Sequence, residues 1–164
     1  VDLARLQPNA FTSATAELPA AALWAVVSDP LLLSEFSTEL QAVRLLDEAP
    51  ARLGTRFEGD QRRGERRWST VSTVTAFEPE RCFEWTVGDL ASPVSRWSFL
   101  IDVHARGLTL TQRVVLCGGP SPLSAQVAAH PEQAEQVIQE RLATLRERMA
   151  VTVHGLLALA GARA

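Results

Sequence analysis

Glu58 and Asp60 are closely spaced carboxylates of the kind that an acid–base pair uses. They alternate with Phe57, Gly59 and Gln61, so on a strand they face away from those three residues and outward. Arg62, Arg63, Arg66 and Arg67 gather around Gly64, with Glu58, Asp60 and Glu65 as neighbouring counter-charges, which reads as a solvated turn. His104, His130 and His154 are scattered, with neither metal-ligand spacing nor a nucleophile motif beside them. Cys82 and Cys117 also lack metal-ligand spacing, and Gly118-Gly119-Pro120 is not followed by the Lys-Ser/Thr of a phosphate loop. The chain has no Tyr, so no phenol is available as an acid or a pocket donor. No catalytic residue, metal or cofactor is assigned from these patterns.

The aromatic residues are more informative. Trp68, Trp85 and Trp97 fall on three different segments, in rows that are otherwise apolar or small. Such indoles either fill a core or line a cavity and stack on a planar ligand. Trp24 reads as packing. Gln61, Gln112, Thr70 and Ser72 fall on the same inward rows, where a polar group needs a partner: another side chain, water or a ligand.

The elements that carry these residues follow from periodicity. Phe11–Glu17 alternates as a short strand. Ala20–Ser28 is helical behind Leu18-Pro19, and Asp29-Pro30 ends it before a second short helix over Leu31–Phe36. From 40 to 117 the period is two, giving strands at 40–46, 55–61, 66–77, 82–87, 95–103 and 108–116. Residues 117–131 read as a long loop with a helical turn near 123–129. Ile138, Leu142, Leu145, Met149, Val153, Leu156 and Ala160 then form one stripe on a helix spanning 132–160, with Glu140, Arg141, Glu147 and Arg148 on its other faces. At 1.5 Å per residue that helix reaches about 42 Å, enough to cover the apolar face of a sheet.

Composition sets the class. The chain has 164 residues, 46% hydrophobic and 21% charged, and a net charge of −3, which fits one globular domain over residues 1–164 with its core at about 11–160. All sixteen basic residues are Arg. The acidic balance argues against a nucleic-acid binder. No apolar run is long enough to span a bilayer. With two cysteines and no leader-like opening, the expected location is the cytoplasm. An exposed edge strand or the 117–131 loop leaves a homodimer possible.

The order of elements resembles the START-like (SRPBCC) superfamily, whose helix-grip fold is shared with the birch-pollen-allergen family. Within it, the chain is most similar to the polyketide cyclase/dehydrase and lipid-transport family, over about residues 11–158. The resemblance is carried by Leu23-Trp24-Ala25-Val26-Val27-Ser28-Asp29-Pro30, Leu53-Gly54-Thr55-Arg56-Phe57, and Glu58-Gly59-Asp60-Gln61 leading to Gly64 and Trp68. It continues through Phe77-Glu78-Pro79-Glu80 with Phe83 and Trp85, then Pro93, Trp97, Phe99 and Gly107–Gln112. It implies an α+β helix-grip fold: a curved antiparallel sheet of six to seven strands around a long C-terminal helix, with two short helices after strand 1. It also implies a hydrophobic cavity for a lipid- or polyketide-like molecule. The ligand-contacting set is then Phe57, Gln61, Trp68, Thr70, Trp85, Trp97, Phe99, Gln112, Leu142, Leu145 and Met149. Some members of the family cyclise and dehydrate a bound chain, which is the alternative to simple binding.

Overall fold

A computed structural model describes all 164 residues. Alternating side chains from Asn9 to Leu116 build one seven-stranded antiparallel sheet. Its strands are β1 (Asn9–Ala16), β2 (Leu40–Leu45), β3 (Arg56–Arg63), β4 (Arg66–Glu78), β5 (Cys82–Asp89), β6 (Ser92–His104) and β7 (Gly107–Leu116). The spatial order is β1-β7-β6-β5-β4-β3-β2, so β1 closes back on β7 and the two edges are β1 and β2. Register shifts at Leu40/Ala42, Val74/Ala76 and Val87/Gly88 bend the strands and curve the sheet. The β3–β4 hairpin turns on Gly64-Glu65, with Gly64 at φ +65°, the left-handed region that favours glycine.

The helices are α1 (Leu3–Leu6), α2 (Ala20–Val27), α3 (Pro122–Ala129) and α4 (Ala134–Arg163). α1 falls in a stretch whose sequence shows no pattern. It is a single turn, capped by the Asp2 side chain and anchored by buried Leu3. After α2 the expected helix over 31–36 is shorter: a 3-10 turn at Pro30–Leu32, with Asp29 Oδ1 accepting from the Leu31 amide at 3.0 Å. The turn at 123–129 is a full helix, fixed by a reciprocal Ser121/Ser124 capping box.

α4 runs 30 residues, about 45 Å, and lies across the concave face of the sheet. It packs in two blocks. Toward its N-terminus, Ile138, Leu142, Leu145 and Met149 join Leu3, Ala10, Val114, Leu116 and Val127. Toward its C-terminus, Val153, Leu156, Leu157 and Ala160 meet α2 and the Phe57, Phe83, Trp85 and Phe99 side of the sheet. At Gly155 the helix has no Cβ, and the Phe36 ring occupies that place. The inward row of β6 ends before Val103, which is 70% exposed beyond the reach of the helices.

Candidate functional site

The two packed blocks of α4 leave room between them. An inner chamber of about 130 Å³ opens where Leu145, Arg148, Met149 and Thr152 face β3 to β7. An outer chamber of about 250 Å³ continues toward α1, the 116–122 loop and the start of α3. The two share Glu39, Gln61, Thr70, Val87, Trp97 and Leu145, so they are compartments of one cleft. Gly59 keeps the inner floor open: a Cβ there would lie 3.6 Å from both Gln61 Nε2 and Thr70 Oγ1, and 2.8 Å from Leu40 Cδ1.

One wall is aromatic. Trp85 and Trp97 are directly paired across β5 and β6, with ring planes 7° apart and centroids 6.1 Å apart. Trp97 Nε1–H donates to Ser95 Oγ at 3.1 Å, which satisfies its polar edge. Gln112, on β7, is 4% exposed and lines the inner chamber, yet its Oε1 has no hydrogen-bond partner. A buried carbonyl left in that state carries a desolvation cost of about 1–3 kcal/mol.

Where the chambers join stands a charged cluster that local sequence pattern does not reveal. Glu39, just before β2, is 7% exposed. Arg141 donates to both of its oxygens, Nη1 to Oε1 at 3.2 Å and Nη2 to Oε2 at 3.0 Å. Arg148 Nη1 lies 2.6 Å from Oε2 as an ion pair whose angle is not that of a hydrogen bond, and Arg63 Nη1 lies 3.8 Å from Oε1. Burial pushes the Glu39 carboxyl upward, but the hydrogen bonds and charge of Arg141 and the close Arg148 guanidinium outweigh it and hold it below its ordinary value. Burial, then the nearby Arg141 charge, lowers Arg63. Arg63 also sits over the Trp68 ring, 5.9 Å from its centroid.

These positions refine one expectation and correct another. Arg141 and Arg148 lie off the apolar stripe of α4, as expected, but their flank borders the cleft. Arg63 is not a solvated turn residue but reaches Glu39. Of the expected ligand-contacting set, Phe57, Gln61, Thr70, Trp85, Trp97, Gln112, Leu145 and Met149 line the inner chamber, and Trp68 lines the outer. Phe99 and Leu142 border neither: Phe99 lies fully buried against Trp85, and Leu142 belongs to the block near α3. Glu58 and Asp60 do face outward, paired with Arg44 at 2.6 Å and Ser69 at 2.8 Å. No group of three or more His, Cys, Asp and Glu side chains is placed to hold a metal ion, and no helix is long and apolar enough to cross a membrane.

Comparison with known proteins agrees with this architecture. The family described as polyketide cyclase/dehydrase and lipid transport matches residues 9–150. The polyketide-cyclase-like protein of Corynebacterium glutamicum is 25% identical, with 92% of this chain and 90% of that one covered and a TM-score of 0.59. The di-domain ARO/CYC protein StfQ of the steffimycin biosynthetic pathway aligns at 14% identity over 94% of this chain and 49% of its own, with a TM-score of 0.63. The major latex-like protein 151 of Panax ginseng aligns at 11% identity over 83% and 97%, with a TM-score of 0.54. At those identities the last two share the fold. No curated protein matches the chain at a significant level.

Proposed function

Because the chain belongs to the polyketide cyclase/dehydrase and lipid transport family, we propose that it binds a small apolar or aromatic molecule in the cleft between the sheet and α4. The observation that carries this reading is Gln112. A buried glutamine whose carboxamide Oε1 has no partner, beside a cavity walled by stacked indoles, is a costly arrangement for a plain core. A ligand hydroxyl or N–H donating to it would remove that cost.

Size narrows the class. An apolar cavity of roughly 150 Å³ holds one benzene. The inner chamber, about 130 Å³, therefore suits one ring or a short branched chain, and the outer chamber takes a second ring or a polar extension. The broad faces of Trp85 and Trp97 favour a flat partner, since indoles offer large contact area at little entropic cost.

The test is a titration with 2-naphthol, a flat bicyclic molecule with one hydroxyl donor, followed by tryptophan emission. Saturable quenching with a submillimolar dissociation constant supports the reading. A linear, unsaturated response overturns it.

A further inference from the structure

Glu39 is the one acidic residue that lines either chamber, and three arginines line them with it: Arg148 the inner, Arg63 and Arg141 the outer. One carboxylate among three guanidiniums leaves two positive charges unmatched at the boundary between the chambers. Half-buried charge without a counter-ion is unfavourable, and burial first, then the Arg141 charge, lowers Arg63.

The donors are also unevenly committed. Arg141 uses both terminal nitrogens on Glu39. Arg148 presents only Nη1 to the carboxylate, and that atom makes no hydrogen bond. Arg63, at 3.8 Å, is beyond hydrogen-bond reach of Glu39. A purely structural tie between the segment before β2 and α4 needs Arg141 alone. Arg63 and Arg148 are left with N–H groups at the junction of the chambers, a few ångströms from the carboxylate they flank.

Resting on the ligand-binding reading above, we infer that the molecule held in the cleft is an organic acid whose carboxylate lies between Arg63 and Arg148, with its apolar body in the inner chamber. A guanidinium fork matches a planar carboxylate, and the pairing is strengthened where water is scarce. Glu39 fixes Arg141 and competes with the incoming anion, so it limits affinity while it holds the frame.

The test compares 2-naphthoate with 2-naphthamide, the same ring system with and without the charge, by calorimetric titration of the full chain at low ionic strength. The acid binds at least about tenfold tighter than the amide, as expected of charge-assisted hydrogen bonds. Added salt weakens the acid and spares the amide. Arg148→Gln brings the two within about threefold. Glu39→Gln keeps a carbonyl for Arg141 but removes the competing charge, so it tightens the acid relative to the amide and raises the acid-to-amide ratio. A cluster that serves only as a structural tie would leave the acid-to-amide ratio unmoved in Glu39→Gln, which overturns the inference. If Glu39→Gln does not fold by circular dichroism, the salt titration and Arg148→Gln decide. Equal binding of acid and amide by the unaltered chain overturns the inference and leaves the ligand-binding reading standing. Binding of neither removes both.

Discussion

Glu39 and Arg141 lie 102 positions apart in the chain and meet through two hydrogen bonds, 3.2 and 3.0 Å long. The pair ties the entry of β2 to the N-terminal third of α4 at the junction of the two chambers. It holds the rim of the cleft together without filling it.

That tie predicts a pH dependence of stability. The Glu39 carboxyl is held below its ordinary value of 4.5. Its contribution is therefore fully present above that value and is lost as pH falls through the lower, folded-state value. Urea midpoints followed downward from neutral pH should fall more steeply in the unaltered chain than in Glu39→Gln, and the two curves should converge in acid. At neutral pH the variant should be less stable by about 1–2 kcal/mol, a loss tempered by the solvent contact of the arginines. Parallel curves at all pH values would contradict the assignment.

Gly155 should resist substitution. Alanine normally stabilises a helix interior by about 1 kcal/mol relative to glycine. Here a Cβ would lie within 2.7 Å of Phe36 Cε1, so the ring must move out of a packed contact. Overpacking of that kind costs about 1–3 kcal/mol. Gly155→Ala should lower the thermal midpoint despite its higher propensity, and Phe36→Ala combined with it should show coupling in a double-mutant cycle.

Gln112 should trade stability for binding. Gln112→Leu removes the unpartnered carbonyl and keeps similar bulk, so the unliganded chain should gain about 1 kcal/mol in chemical unfolding. The same variant should bind 2-naphthol several-fold more weakly, because the donor on the ligand loses its acceptor. A loss of stability would show that Gln112 has a structural partner after all.

The indoles should divide by location. Trp24 makes edge contacts with Phe77 and Phe83, centroids 5.1 and 6.4 Å away, and borders neither chamber. Trp24→Ala should cost about 3–5 kcal/mol of stability and leave the affinity of the folded fraction unchanged. Trp97→Ala should weaken 2-naphthol binding by more than its stability loss accounts for. Equal affinity losses in both would mark Trp97 as packing alone.

The sheet and the long helix are legible from sequence because both are local. Period-two rows of Phe83/Trp85/Val87 and Leu108/Leu110/Gln112/Val114 fix the faces of β5 and β7, and a stripe at spacings of three and four fixes α4. Face parity also puts Trp85, Trp97 and Gln112 inward. Parity says nothing about position along a strand, however. Phe99 shares a row with Trp97 yet lies where Trp85 and the α4 C-terminal block close over it. Leu142 shares a stripe with Leu145 and falls one turn too far toward α3. The charged cluster is illegible for a different reason. Arg141 and Arg148 look like a polar helix flank, and the carboxylate that turns them inward comes from a loop distant in sequence. The spacing of Arg141, Arg148 and Thr152 at three- and four-residue steps around Leu145 of the apolar stripe is the one available signal.

The most direct test is a two-dimensional ¹H–¹⁵N spectrum recorded during titration with 2-naphthol. Four indole N–H signals and the Gln112 side-chain amide report on separate places in the molecule. If a ligand enters the cleft, the Trp85, Trp97 and Gln112 signals move and saturate together while Trp24 stays fixed. Unmoved signals for Trp85, Trp97 and Gln112 at saturating probe would contradict the account.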